Sequence, residues 1–548
     1  MLVIACIYVV RLFSLQVLND DYKQHADGNA FLKKTQYPSR GLIYDRNGKL
    51  LVFNQPAYDV MMIVREVRPF DTLDFCRTVG ITKEQFDKRM ADMKNRRLNP
   101  GYSSYTPQTF MTQLSAQDYG RLQEKLYRFP GFFIQNRMLR EYAYPVAANV
   151  LGNIREVSPR DIEKDSYYTR GDYTGDLGIE RSYENILRGE KGVEILLRDA
   201  HGRVKGRYED GRYDVAPVSG KNLNLSLDIE LQAYGEKLMQ NKIGAIVAIE
   251  PSTGEILAMV SSPTYDPSML VGRERGRNYL KLNRDRYKPL FDRALMAAYP
   301  PGSTFKILTT LEYIRENPNY KSYSYECEGD GIFNSVSIHC YNHKVHGTVS
   351  LEDSLAYSCN TSFSNIGTKL DMDALNKLCG DFLYNKELPY DGYYKKSSYT
   401  MTSKTDKSLI PQTVIGQGET LITPLHNAMV MCAIANGGVL MKPYMMDRIE
   451  NCDGSVVKKF SKDSYGRIIS SAEAQTLTEL MMSVTEYGTA SDYFSGAEYT
   501  VAGKTGTAEF NENKDSHSWF IGFSNVNNPD LVVCVLIENA SNTGASAT

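Results

Sequence analysis

Three short strings, in one order, limit this chain more than anything else in it. They are Ser303-Thr304-Phe305-Lys306, Ser358-Cys359-Asn360 and Lys504-Thr505-Gly506-Thr507. They can form one site only in a fold that returns a late strand to an early helix. Pro300-Pro301-Gly302 ends the preceding segment, and Phe305, Ile307, Leu308 and Leu311 follow at helical spacing. Ser303 is therefore expected in the first turn of a helix, near free backbone N–H groups and the positive dipole end. Lys306, three residues on, can share its face. A serine hydroxyl is a weak nucleophile until a nearby base takes its proton, and a lysine desolvated in a cleft beside other cations can be neutral enough to do so.

Ser358 and Asn360 are expected on a short loop after the helical run Leu351–Tyr357. There the hydroxyl can relay a proton to a leaving amine and the amide can hold a substrate carbonyl. Lys504–Thr507 lies in a strand-like run whose Gly503 and Gly506 permit close approach to the backbone. A peptide could dock there as an added strand. Lys504 and the Thr505 hydroxyl would then hold a terminal carboxylate, while the N–H groups of Thr507 and Ser303 form an oxyanion hole. S-x-x-K alone recurs by chance about twice in a chain of this length. The ordered set carries the reading: acyl transfer through a serine ester.

The remaining pattern supplies a frame. Gly244–Glu250 and Glu255–Ser261 read as a hairpin across Pro251-Ser252-Thr253-Gly254, and Tyr499–Phe510, Ser518–Phe523 and Leu531–Glu538 as three later strands. Helical patterns lie between them: Phe305–Glu316, Leu351–Leu370, Pro424–Asn436 and Ala472–Tyr487. One antiparallel five-stranded sheet flanked by helices fits this order, an α+β arrangement in which the first hairpin pairs with strands distant in sequence. Upstream, Asn47-Gly48 marks a turn between Leu42–Tyr44 and Leu50–Phe53, residues near 70–130 look helical, and Asn99-Pro100-Gly101 marks a loop. The polar, Gly/Pro-containing stretch Glu209–Lys221 is the expected main boundary. It divides a non-catalytic region, 19–220, from a catalytic one, 221–548.

A length of 548 residues exceeds one ordinary core. A net charge of -2 offers no basic footprint for nucleic acid. Residues Leu2–Leu18 are apolar except for Arg11, Ser14 and Gln16, at the short limit of the roughly 17–25 residues a membrane helix needs. With no basic leader and no cleavage site, residues 1–18 are expected to be a transmembrane anchor whose upstream half lies outside this sequence. A buried amphipathic helix is the alternative.

With these motifs the chain resembles the class B penicillin-binding proteins, the monofunctional D,D-transpeptidases of peptidoglycan synthesis. The likeness includes Arg40-Gly41-Leu42-Ile43-Tyr44-Asp45-Arg46-Asn47-Gly48, Gly178-Ile179-Glu180, Gly416-Gln417-Gly418-Glu419, Thr423-Pro424-Leu425 and Ser518-Trp519-Phe520-Ile521-Gly522-Phe523. The Gly-Gln-Gly-Glu and Trp-Phe-Ile-Gly-Phe variants are similar to the elongation subgroup, penicillin-binding protein 2, more than to the septal one. The resemblance implies a serine β-lactamase-like transpeptidase domain on an elongated pedestal, held at the inner membrane by a single span with the catalytic domain outside. It implies a RodA-type glycosyltransferase and the elongation machinery as partners, stem peptides as substrates and β-lactams as acylating agents. It also implies a final helix against the sheet, beyond Ser541–Thr548. In the implied reaction Ser303 expels the terminal D-alanine of one stem peptide, and the amine of another takes the acyl group. The chemistry requires no cofactor.

Nine cysteines are scattered without the regular spacing of a disulfide framework. Cys327, Cys340, His346 and Cys359 form a Cys3His ligand set with gaps of 12, 5 and 12 residues, longer than in zinc fingers. Some elongation-type relatives carry metal ligands here. Structural Zn²⁺, a Cys327–Cys340 disulfide, or free buried thiols all remain open, with His339 and His343 as alternative ligands. Rival functions are a septal transpeptidase, a carboxypeptidase or β-lactamase passing the acyl group to water, and a scaffold or β-lactam sensor with a dead site.

Overall fold

A computed structural model describes residues 31–548 apart from 96, 98, 100, 101, 115, 199–203, 273, 509–515 and 541–546. The expected anchor over 1–18, Pro100-Gly101 of the expected loop and the end of the run Tyr499–Phe510 lie outside the described residues. No helix among the described residues is long and apolar enough to cross a membrane.

The five late and early strands form one antiparallel sheet, in the order Ile256–Ser262, Gly244–Ile249, Val532–Ile537, His517–Ser524, Val501–Ala508. Gly244–Ile249 joins its hairpin partner to Val532–Ile537, as the pattern required. Nearly every residue of this sheet is buried. The reason is coverage: the helix Pro424–Ala435, buried almost all round, packs behind the centre, and Ser471–Glu486 packs behind Val501–Ala508. Val501–Ala508 is the edge strand, so one row of its backbone groups faces away from the sheet.

A second, seven-stranded sheet draws four strands from the N-terminal half and three from beyond residue 220. The hairpin at Asn47-Gly48 forms as expected, with Gly48 at φ +79°. The long strand Leu50–Met62 pairs with Gln108–Leu114 and Phe132–Tyr142. Ile43–Tyr44 runs parallel to Asn222–Leu225, which continues to Met446–Glu450. This sheet therefore crosses the sequence position 220/221. The helical reading of 70–130 is corrected: Thr72–Val79, Lys83–Lys94 and Ala116–Lys125 are helices, but Gln108–Leu114 is a strand. Its buried apolar residues, Phe110, Met111 and Leu114, fall at a spacing that also suits one face of a helix. The aromatic rings of Phe70, Phe75, Phe86, Phe110, Phe129 and Phe132 fill the core between these helices and strands.

Candidate active site

The nucleophile string does not begin an α-helix. Gly302–Phe305 is a 3₁₀ turn, and the α-helix Lys306–Glu316 follows it directly. Tight contacts force the turn. Gly302 has φ +54°, and a Cβ there would lie 2.4 Å from the carbonyl oxygen of Thr507. Its N–H donates to the Gly416 carbonyl at 2.9 Å. Only glycine fits such a backbone-to-backbone approach. The indole N–H of Trp519, fully buried, donates to the Pro300 carbonyl at 3.0 Å and fixes the preceding segment.

The edge strand closes on this turn. A Cβ at Gly506 would meet Thr304 Cγ2 at 3.0 Å and the Pro301 carbonyl at 3.2 Å. Gly503 is glycine for another reason: a Cβ there would strike the Phe520 ring at 2.8 Å. Gln417 Nε2 donates to the Thr507 carbonyl at 3.2 Å, linking the Gly-Gln-Gly-Glu turn to the strand.

The helical run 351–370 is broken where the second motif stands. Leu351–Ala356 ends, Ser358 adopts φ +55°, and Asn360 opens the helix Asn360–Gly367. A non-glycine residue held left-handed stores roughly 1–3 kcal/mol, a strain concentrated at functional sites. Here it directs Ser358 and Asn360 at one amine. Lys306 Nζ donates to the Asn360 Oδ1 at 2.7 Å, to the Ser358 carbonyl at 2.8 Å and to the Ser358 Oγ at 3.2 Å. Asn360 Nδ2 in turn donates to the His339 carbonyl at 2.9 Å.

Lys306 and Lys504 are both fully buried, and neither has a carboxylate partner among the described residues. Burial pushes the Lys306 amine down to about 8, against an opposing influence of the Cys359 and Cys340 sulfurs. Lys504 is driven well below the ordinary lysine range, first by burial and then by the charge of Lys306. Its Nζ donates to the Thr505 carbonyl at 3.0 Å, and the Thr505 hydroxyl lies 2.6 Å from that of Thr489. The partly exposed Ser303 hydroxyl makes no hydrogen bond among the described residues. The fold thus brings all three motifs together: a serine on a 3₁₀ turn, two desolvated amines, and an edge strand beside them.

The description "Penicillin binding protein transpeptidase domain" matches residues 244–548, and "Penicillin-binding Protein dimerisation domain" matches residues 35–225. The first match alone spans more than half the sequence. The chain belongs to the penicillin-binding protein transpeptidase family. Among its relatives, peptidoglycan D,D-transpeptidase MrdA of Acinetobacter baumannii is 28% identical over 588 residues, covering 100% of this chain and 84% of the relative. Peptidoglycan D,D-transpeptidase PbpA of Mycolicibacterium smegmatis is 31% identical over 377 residues, covering 66% and 74%. Of solved structures, PBP2 in its complex with MreC from Helicobacter pylori superposes with a TM-score of 0.76 at 23% identity, covering 93% of this chain and 96% of that one.

In this penicillin-binding protein the predicted ligand set also converges. Cys327, Cys340, His346 and Cys359 place their donor atoms within 4.8 Å of one another. Cys327 Sγ lies 3.8 Å from Cys340 Sγ and 3.4 Å from His346 Nδ1, and Cys340 Sγ lies 3.7 Å from Cys359 Sγ. The Cys327–Cys340 disulfide reading is overturned, since a bonded pair would stand about 2 Å apart and all three cysteines are free. The alternative ligands sit elsewhere: the His339 and His343 rings stack on each other, and His343 pairs with Asp330. Hydrogen bonding with Cys359 holds the Cys340 thiol far below the usual thiol range, favouring a thiolate. Two further site residues escaped the sequence reading. Gln417 carried a signal in its Gly-Gln-Gly-Glu context, whereas Thr489 carried none, being one threonine among many on the turn between the helices Ser471–Glu486 and Ser491–Phe494.

Proposed function

We propose that this chain is a peptidoglycan D,D-transpeptidase that cross-links stem peptides during cell-wall elongation. One observation carries the reaction: a buried Lys306 amine, lowered to about 8, in the turn after Ser303 and tied to Ser358 and Asn360. At pH 7 about one such amine in ten is neutral, enough to act as a base. Neutral Lys306 takes the Ser303 proton as Oγ attacks the penultimate D-alanyl carbonyl. The N–H groups of Ser303 and Thr507 receive the oxyanion, and Asn360 orients the donor peptide. The C–N bond breaks, Ser358 passes the proton to the leaving D-alanine, and an ester remains on Ser303. The amine of a second stem peptide attacks that ester, the C–O bond breaks, and Ser303 regains its proton. Lys504, Thr505, Gly506 and Thr507 hold the terminal carboxylate and the docked strand; the lowered pKa of Lys504 is relieved when that carboxylate arrives.

The Cys3His cluster fits structural Zn²⁺, whose tetrahedral ligands are thiolates and imidazole. Its role would be to pin Cys359, inside the Ser358–Asn360 turn, and Cys340, next to His339, whose carbonyl accepts from Asn360. Metal analysis with a thiol count tests it. The segment Leu2–Leu18 serves as the inner-membrane anchor with the catalytic domain outside the cytoplasm. Partners are an MreC-type protein, as in the Helicobacter complex, and a RodA-type glycosyltransferase. Labelling with a fluorescent penicillin, native protein against Ser303→Ala, tests the whole reading. Labelling is expected to vanish in the variant; undiminished labelling would remove the nucleophile. A stable adduct distinguishes the transpeptidase from a β-lactamase.

A further inference from the structure

The residues from Ser358 to Thr361 face two neighbours in alternation. Ser358 and Asn360 meet the Lys306 amine. Cys359 and Thr361 meet the Cys3His cluster instead. Thr361 is neither a thiol nor an imidazole, yet it is the residue that reaches furthest into that cluster. Its side chain is fully buried. Its hydroxyl oxygen lies 3.3 Å from the Cys327 Sγ, 3.4 Å from the Cys359 Sγ and 3.6 Å from the Cys340 Sγ. One hydroxyl therefore touches all three sulfurs.

Other buried threonines nearby behave differently. The hydroxyls of Thr309, Thr310 and Thr413 donate to the backbone carbonyls of Val414, Lys306 and Leu409. Among the described residues the Thr361 hydroxyl has sulfur acceptors and no carbonyl acceptor. The Tyr325 side chain packs on the cluster and also lies beside this hydroxyl. A phenol donating to the threonine oxygen would leave the threonine proton for sulfur.

The charge of the cluster explains the use of such a donor. Three thiolates outweigh a divalent ion by one negative charge. Cys327, Cys340 and Cys359 are buried, so no water solvates that excess. Three thiolates and an imidazole already complete a closed tetrahedral site, which leaves the hydroxyl outside the ligand set.

We infer that Thr361 is a positioning residue of this metal centre: its hydroxyl donates to the thiolates, to Cys327 above all, and so sets how tightly they hold Zn²⁺. The inference rests on the metal reading of the Cys3His cluster. Hydrogen bonds from outside the ligand set orient the ligands and tune their affinity. Thr361 also follows Asn360 in the first turn of the helix Asn360–Gly367, so the same contact ties that turn to the cluster.

The test uses the full chain, with Zn²⁺ affinity measured by competition against a chromophoric chelator. Thr361→Val keeps the shape and removes the hydroxyl; it is expected to weaken Zn²⁺ binding about 10–100-fold. Thr361→Ser keeps the hydroxyl and is expected to restore affinity to within about threefold of the native chain. Co²⁺ in place of Zn²⁺ supplies a second readout. A hydrogen bond draws charge from sulfur, so the sulfur-to-cobalt charge-transfer band is expected at lower energy in Thr361→Val and at its native position in Thr361→Ser. Thr361→Ala repeats the comparison without the branched side chain, should valine prevent folding. Native affinity and an unmoved band in the hydroxyl-free variants would overturn the proposal, as would Thr361→Ser binding as weakly as Thr361→Val. A native chain that binds no Zn²⁺ would overturn the metal reading together with this one, whereas tight Zn²⁺ binding indifferent to Thr361 would sink this one alone.

Discussion

The two halves of this molecule bury charge in opposite ways. In the N-terminal half, Glu180 is completely buried between two arginines: Arg140 Nε donates to its Oε1 at 2.6 Å and Arg40 Nε to its Oε2 at 2.7 Å. Arg40 also pairs with Glu184. The arginines hold the Glu180 carboxyl below its ordinary range in spite of burial. In the catalytic half, Lys306 and Lys504 are as deeply buried but have only neutral acceptors, and their affinity for protons falls. Paired charge fixes the first half; unpaired charge makes the second reactive. The same desolvation is compensated in one place and left to act in the other.

The comparison breaks first at Lys306. Lys306→Met is expected to slow β-lactam acylation roughly 10²–10⁴-fold, the usual contribution of a general base. Stopped-flow acylation would check it, and a loss below tenfold would mean another group takes the proton. In the N-terminal half the matching change acts on stability. Glu180→Ala leaves two buried guanidinium groups facing each other and is expected to destabilise the fold by about 3–5 kcal/mol, read by denaturant unfolding. If Glu180→Ala proves neutral, the pairing is not what holds this half.

Smaller effects sharpen the picture. Removal of the proposed Zn²⁺ by a chelator, or Cys340→Ser, is expected to slow acylation by about 10–100-fold, with retained secondary structure by circular dichroism. Acylation by a neutral-range β-lactam is expected to rise about tenfold from pH 6 to pH 7 as Lys306 loses its proton, then level off above about pH 8. The sign for stability follows from the same shift. The folded Lys306 gives up its proton near 8 while the unfolded lysine keeps it to about 10.4, so unfolding takes up protons between those values. Relative to Lys306→Met, the native protein should therefore gain stability as pH rises through that window.

How much was legible beforehand differs from element to element. Four of the five strands of the catalytic sheet were readable as short, mainly apolar runs bounded by turn residues, whereas Val501–Ala508 carries Lys504, Thr505 and Thr507 and was read as strand-like around its motif. Gln108–Leu114 was not, because a half-buried strand between two helices shows only three well-buried apolar positions, Phe110, Met111 and Leu114. The break in the helical run 351–370 was legible as a short loop at Ser358-Cys359-Asn360, but not its form: Ser358 takes the left-handed conformation against its own preference, and Asn360 already opens the next helix. The Cys3His set was visible as residue types, yet its closure depends on two small hairpin-like pairings, Tyr325–Cys327 with Gly347–Val349 and Asp330–Phe333 with Val336–His339.

The amino-acid order alone determined which groups are available: one hydroxyl, two amines, a hydroxyl–amide pair and a thiol-rich cluster, each at a spacing that local structure must respect. Only the tertiary fold decided what those groups are chemically. An amine carries no information about its own proton affinity in a sequence. That property came from the sheet and helices that removed water from Lys306 and Lys504 without supplying a carboxylate, whereas Arg40 and Arg140 received one.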